Sequence, residues 1–348
     1  MPWENVNGYV GGIAVNERNL EVLEQYEVEV REVRRGRGAF LCETDQGWKL
    51  LKEYRGTVKR LEFEEEVLRY LRSEAGILTD QYRKTLEGNL ISIASDGTKY
   101  ILKDWFLDRE CDLRSKNDVF SAVRGLAYLH KYLRKIEWKE EWDLGSNAIK
   151  PLANEMARHN RELIRVRNFV RNKRKKTEFE LCVIGNFNRF YQQAEEAAKG
   201  LLEIGEQNVH YLCHGDMNQH HILMCNSERE ENDHLAFIEF NRMHRGSQIE
   251  DLYGLLRKTM EKSDWDCDLG MDLLEAYHEV LPLSEQDRQI LYYLFLYPEK
   301  YWKQMNFYLN NNKVWIPMKN IEKLRQLEEQ FSERDEFLQK ICEKSKRL

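Results

Sequence analysis

After Phe106 the hydrophobic pattern changes period, and that switch restricts the fold more than any other feature of the chain. Before it, apolar residues recur every second position. Residues 26–54 read as a meander of three strands: Val28 and Val30 alternate with charged neighbours, AFLCET follows a Gly36-Arg37-Gly38 turn, and Asp45-Gln46-Gly47 leads into WKLLKEY. Across 57–74, Leu61, Val67, Leu68 and Leu71 recur with helical spacing and no Gly or Pro interrupts. NLISIAS and TKYILKDWF then flank Asp96-Gly97, a pair suited to the positive φ values of a tight type I′ hairpin turn. Five strands and one helix are expected up to residue 106. Beyond it, VFSAVRGLAYLHKYL and the stretches 152–172, 186–206, 248–262, 269–281, 285–297 and 319–345 carry helical periodicity, broken only by two short β-like runs, HILMC (221–225) and LAFIEF (235–240). Strands first and helices afterwards make an α+β chain.

Composition removes several alternatives. A chain of 348 residues with only 19 Gly and 5 Pro has too little punctuation for an all-β sandwich or long disordered tracts. Its length suggests two units or one large bilobal domain at ~100–200 residues per domain. No run approaches the ~20 apolar residues of a bilayer span. The first twenty residues lack a basic n-region and a long apolar stretch, so no signal peptide is expected and the protein should stay inside its cell. Seven cysteines without a CxxC pair read as reduced, structural thiols. A formal charge of −6 makes nucleic acid an improbable partner. One block departs from that average: Arg158 to Lys176 holds nine Lys/Arg and one Glu. Such runs are usually solvated faces or helix ends packed near acidic groups, with an anionic polymer as the sharper alternative.

The chemistry is concentrated in YLCHGDMNQHHILM (211–224), LAFIEFNRM (235–243) and SQIEDLYGLLRKTMEK (247–262). In that order these motifs resemble the core of the aminoglycoside/choline kinase-like branch of the protein-kinase superfold, which reads roughly H-G-D-x-x-x-x-N, an apolar strand, I-D-F/W, and D-L at a helix start. The likeness is greatest to spore-coat proteins of the CotS type, whose connector W-x-x-x-R-E-C-D is matched by Trp105, Arg109, Glu110, Cys111 and Asp112. It extends over about residues 20 to 330. The resemblance implies a bilobal protein-kinase-like fold with a small antiparallel β-rich N-lobe (1–106), a hinge (107–114) and a mostly helical C-lobe (115–348), with a nucleotide or small ligand in the cleft between lobes.

Each position also carries its own physics. Phosphoryl transfer needs a lysine on the triphosphate, a carboxylate beside the acceptor hydroxyl and oxygen ligands for Mg²⁺. Lys52, ending WKLLK, stands where the superfold places its phosphate-pairing lysine; the plain alternative is an exposed strand lysine. Glu62, Glu65 and Glu66 qualify by helical spacing as its partner, and Glu65 is chosen. The turn RRGRGAF offers Gly36 and Gly38, one glycine fewer than a full phosphate-cradling loop, with Arg35 and Arg37 beside it. Asp216 matches the catalytic base, His214 its loop support, and Asp251 a structural aspartate bracing the loop through a helix cap.

Two departures stand at the metal positions. His221 occupies the place of a metal-binding Asn five residues after Asp216, and Glu239 that of the principal Mg²⁺-binding Asp. Mg²⁺ prefers oxygen and near-octahedral geometry at ~2.0–2.1 Å, whereas imidazole suits softer ions. The resemblance implies a spore-coat-associated, kinase-like scaffold, and the two altered ligands favour one that is non-catalytic, its Asp216 vestigial, or that binds nucleotide only. The alternative is an ATP-dependent phosphotransferase to a hydroxyl of an amino-alcohol, sugar or glycan precursor, with ATP and Mg²⁺ or Mn²⁺ as cofactors. By resemblance the protein would be made in the mother-cell cytoplasm, enter the spore coat and have other coat proteins as partners. Cys213, His214, His220, His221 and Cys225 lack zinc-site spacing, and adjacent His220 and His221 should diverge. The aromatics from Tyr292 to Tyr308 read mainly as core, and the tail from Asn320 as one amphipathic helix.

Overall fold

The computed structural model describes residues 17–36, 38–140, 142, 151–205, 210–225, 235–310 and 316–346. The chain divides into two compact units, one drawn from Met1–Asp112, Tyr128–Ser146 and His214–His244, the other from Leu113–Ala127, Asn147–Cys213 and Arg245–Leu348. The α+β class read from the period switch holds, with an antiparallel sheet early in the chain and helices dominating after it.

In the first unit a 3-10 helix (Glu17–Gln25) precedes β1 (Val30–Arg35), β2 (Ala39–Thr44) and β3 (Gly47–Glu53), the expected meander. α1 (Val58–Ala75) begins where the Thr57 hydroxyl accepts the Arg60 N–H and ends at Gly76, whose φ of 65° a β-carbon would oppose. After it come β4 (Leu78–Thr79), β5 (Tyr82–Arg83), β6 (Ser92–Ile93) and β7 (Lys99–Asp104). The sheet runs β1-β2-β3-β7-β5, with β6 also on β7. Leu51 lies opposite Leu102 and Phe40, and these three join Val22, Tyr26, Cys42 and Tyr100 in one buried cluster. The β6–β7 turn differs from the type I′ expectation. Only Gly97 has positive φ (85°), and Gly97 donates to Ala94 O (2.8 Å) while Ala94 donates to Thr98 O (2.9 Å). That is a three-residue loop with glycine at its left-handed corner, a geometry Asp enters without leaving negative φ.

A second small sheet had no warning in the sequence beyond its two central strands. β8 (Arg109–Glu110), inside the stretch expected as a hinge, pairs antiparallel with β10 (Ile222–Met224), which pairs with β11 (Leu235–Phe237), and β11 runs parallel to β4. Strands of two residues are too short to show a period. Leu78, Leu223, Ala236 and Ile238 are buried together there.

α2 (Lys116–Leu133) contributes residues to both units. The second unit holds α3 (Leu152–Asn172), α4 (Glu178–Ile204), β9 (Tyr211–Cys213), α5 (Ile249–Lys262), α6 (Cys267–Val280), α7 (Glu285–Leu296), α8 (Glu299–Asn310), α9 (Met318–Glu329) and α10 (Phe331–Lys346); β12 (His244–Gly246) opens at the last residue of the first. α4 starts earlier than expected because Thr177 and Glu180 form a reciprocal capping box. The expected single tail helix breaks at Gln330, whose side-chain amide donates to Asp264 Oδ1 (2.6 Å). The aromatic run mostly packs inward: Tyr301 is fully buried, stacks on Phe190 at 4.5 Å and donates to Val183 O, while Phe307 stays exposed. Part of the basic block is absorbed locally, Lys173 pairing with buried Glu180 at 2.5 Å and Lys176 donating to Lys173 O at 2.9 Å. Among the described residues no helix is long and apolar enough to cross a membrane.

Candidate functional site

The segment after β9 is built around two side chains that bind backbone. His214 is fully buried. Its Nε2–H donates to the carbonyl of Ile238 (3.0 Å), and its Nδ1 accepts the Asp216 N–H (3.3 Å), which assigns a neutral imidazole with one tautomer. Such a histidine ties the loop to the exit of β11. Gly215 adopts φ 83°, and a β-carbon there would lie 2.2 Å from Arg242 O, so no other residue fits. Asn218 donates from Nδ2 to Asp216 O (2.8 Å) and accepts the His220 N–H at Oδ1 (3.0 Å), closing a single 3-10 turn over Gln219–His221. The Asp216 carboxylate is left facing outward, 43% exposed, with Arg242 Nε 3.8 Å away.

The two neighbouring histidines diverge. His220 Nδ1 contacts Glu110 Oε2 at 2.5 Å on the β8 side, whereas His221 Nδ1 donates to Asp216 O at 2.8 Å. His221 therefore keeps only Nε2, a nitrogen lone pair, for any ligand. Cys225 contacts Leu223 O. Among the described residues no group of three or more His, Cys, Asp or Glu is arranged to hold a metal ion.

At the exit of β11, Glu239 takes a left-handed conformation (φ 64°, ψ 51°), rare for a residue with a β-carbon. Its N–H donates to Asp80 Oδ2 (3.1 Å), and its carboxylate receives Lys52 Nζ at 3.2 and 3.3 Å and Asn241 Nδ2 at 3.2 Å. Burial alone would raise the Glu239 carboxyl; the charges of Lys52 and Lys103, the Lys52 hydrogen bond and nearby His221 outweigh it and hold it below its ordinary 4.5. Asp80 is fully buried, pairs with Lys103 Nζ at 2.5 Å, and is itself pushed up by burial against the pull of that lysine. Two ion pairs thus stand side by side, Lys52–Glu239 half-open to solvent and Lys103–Asp80 sealed. Sequence reading missed the second. A lysine inside the apolar strand YILK was its signal, because a buried ammonium requires a carboxylate partner.

Several expected placements are revised. Glu65 does not pair with Lys52: it faces Arg69 (3.5 Å) and Lys84 (3.8 Å). Glu64 is likewise taken by Arg60 and Tyr82 at 2.6 Å each and Glu66 by Lys139 and Trp142, while Glu62 faces outward and is exposed. A lysine on β3 finds its carboxylate at the β11 exit because every inward glutamate of α1 already has a nearer base. Gly36 and Gly38 form the β1–β2 turn, where the Gly36 N–H is spent on Ala39 O (2.8 Å) and so is not offered to an anion; Arg37 lies outside the described residues. Asp251 is not the cap of α5. Gln248 occupies that position without a side-chain cap bond and donates to Leu212 O (2.9 Å), and Asp251 sits buried in the first turn, where the helix dipole favours a negative charge.

The donor set can be tested against magnesium triphosphate. The carboxylate at 239 is neutralised by Lys52, the lysine that would meet phosphate, and the second position offers nitrogen in place of oxygen. These residues do not fit a hard octahedral cation held by oxygen ligands.

A model of the ecdysteroid kinase-like family matches residues 139–288. Over 100 residues the chain is 33% identical to spore coat protein S of Bacillus subtilis (strain 168), a stretch that covers 28% of this chain and 28% of that relative's length. Among solved structures, an aminoglycoside phosphotransferase from Alicyclobacillus acidocaldarius subsp. acidocaldarius DSM 446 superposes with a TM-score of 0.82 at 14% identity, covering 99% of both chains. A spectinomycin phosphotransferase in complex with AMP gives 0.65 at 12% identity, over 89% of this chain and 93% of the other.

Proposed function

We propose that the chain, which shares the fold of an aminoglycoside phosphotransferase, belongs to that kinase-like superfamily and is within it a spore-coat-associated scaffold that has lost efficient phosphoryl transfer and at most binds nucleotide. The observation that carries this reading is the Lys52–Glu239 pair beside His221, which leaves one neutralised carboxylate and one imidazole nitrogen where the reaction needs two oxygen donors. The 33% identity to a spore coat protein over 100 residues supports the coat setting. Coat proteins are the partners that setting supplies, with the mother-cell cytoplasm as the place of synthesis. The expected division into a β-rich lobe to residue 106, a hinge at 107–114 and a helical lobe belongs to the same proposal.

A second reading is favoured by one feature: Asp216 keeps an outward-facing carboxylate on a loop whose supports, His214, Gly215 and Asn218, are all in place. On that reading Asp216 orients an acceptor hydroxyl of an amino-alcohol, sugar or glycan precursor, and Lys52 leaves Glu239 to meet ATP phosphates. Thermal-shift titration with ATP, alone and with Mg²⁺ or Mn²⁺, separates the two. A bound ligand at ~100 Kd stabilises a fold by ~2.7 kcal/mol. The scaffold reading expects either no shift or one that the metals do not enlarge and that Glu239→Ala leaves in place. A shift that requires the metal and disappears in Glu239→Ala supports the phosphotransferase.

A further inference from the structure

The turn that joins α3 to α4 holds four consecutive cations, Lys173 to Lys176. Two of them are spent on the turn itself. Lys173 pairs with buried Glu180 and reaches the Tyr308 hydroxyl (3.2 Å), while Lys176 donates to the carbonyls of Lys173 (2.9 Å) and Arg171 (3.4 Å), which the end of α3 leaves without helical partners. With the Thr177 capping box, these bonds fix the shape of the turn. Arg174 and Lys175 at its apex, Arg171 in the last turn of α3 and Arg165 two turns back are all exposed. Among the described residues no carboxylate pairs with any of these four. The two acids of the first turn of α4 are already taken, Glu178 by Arg325 and Glu180 by Lys173. The hairpin end therefore carries uncompensated positive charge on a chain whose formal charge is −6. Two large apolar side chains flank the same turn. Phe169 in the last turn of α3 is 49% exposed, with Tyr308 against it at 6.2 Å, and Leu181 in the first turn of α4 is 58% exposed. Each stands about one helical turn, ~5 Å, from the apex.

We infer that the tip of the α3–α4 hairpin is a peripheral docking surface for an anionic lipid bilayer. Headgroup phosphates meet the unpaired cations, and Phe169 and Leu181 enter the boundary between headgroups and acyl chains. Four cations reach the size of cluster that holds anionic lipid, and the apolar pair supplies the second contribution that stable membrane attachment needs. A soluble polyanion would use the charges alone and leave both apolar side chains in water. A convex helical corner also suits a flat surface, whereas a polymer strand is held in a groove. The inference is independent of the Lys52–Glu239 site and holds whether or not nucleotide binds.

Flotation of the full chain with vesicles tests it, using phosphatidylcholine and phosphatidylglycerol in equal parts beside phosphatidylcholine alone. Binding to the anionic vesicles only, lost at high salt, is the expected result. Arg174→Gln/Lys175→Gln should lower the affinity for those vesicles about thirtyfold, and Leu181→Ser about fivefold. Both variants should keep the melting temperature of the unaltered protein, because these side chains face solvent. No binding to the anionic vesicles, equal binding to the neutral ones, or an affinity indifferent to either variant overturns the inference. So does capture of inorganic polyphosphate by the unaltered protein and Leu181→Ser alike while vesicles are ignored, which would assign the cations to a soluble polyanion.

Discussion

The loop from His214 to His221 and the strand exit from Ile238 to Met243 lie against each other, yet they follow different rules. In the loop, the side chains that fix backbone stand as the motif requires: His214 bridges to Ile238 O, Gly215 passes where a β-carbon would strike Arg242 O, and Asn218 closes the turn. At the strand exit, the carboxylate of Glu239, one methylene longer than the aspartate expected there by resemblance, folds back onto Lys52. Backbone scaffolding is needed to fold and metal ligation only to react. A loop that keeps the first beside an exit that differs in the second is the arrangement on which the proposed scaffold role rests.

The sharpest way to break this comparison is at Asp80, which holds the strand exit from beneath. Asp80→Ala strands Lys103 in the core and frees the Glu239 N–H, and its expected cost is about 3–5 kcal/mol by urea denaturation. A loss under about 1 kcal/mol would mean the exit does not depend on the buried pair. Next in size is the loop itself. Gly215→Ala should cost about 2–3 kcal/mol, from positive φ and from contact with Arg242 O. Full stability of that variant would contradict the close approach.

A smaller effect is expected at the half-open pair. Glu239 titrates below its ordinary 4.5, so its contribution is present above that pH and is lost as pH falls through the lower, folded value. Glu239→Gln should therefore cost about 1 kcal/mol at neutral pH and flatten the acid limb of stability below about pH 4.5. An unchanged acid limb would say that Lys52 does not engage the carboxylate in solution. Smallest is Glu65→Ala, expected within about 0.5 kcal/mol because its partners Arg69 and Lys84 are solvent-exposed. Loss of nucleotide binding in that variant would return Glu65 to the role of Lys52 partner.

Much of the fold was legible because long elements repeat their signal. The meander of β1 to β3, α1 and α3 all follow from periodicity. What escaped has local physical causes. β4 and β8 are two residues each, the Asp96-Gly97 turn was decided by a third loop residue, and the break between α9 and α10 depends on Gln330 reaching Asp264, far away in sequence. Motif order singled out His214, Asp216, His221 and Glu239, which the fold brings onto one loop and the adjoining strand exit, but their partners were another matter. Helical spacing allowed three glutamates for Lys52, and none of the three was used, since competition among nearby bases is a property of packing. Asp80 left only an indirect mark, the lysine buried in β7.

The central claim is that His221 and Glu239 deny magnesium triphosphate a reactive seat. Steady-state ADP release from Mg²⁺–ATP, measured on the unaltered protein beside Asp216→Ala and the double variant His221→Asn/Glu239→Asp, tests it most directly. No release above the Asp216→Ala background, with a gain in the double variant, is the expected result. Sustained release by the unaltered protein that Asp216→Ala abolishes would contradict it.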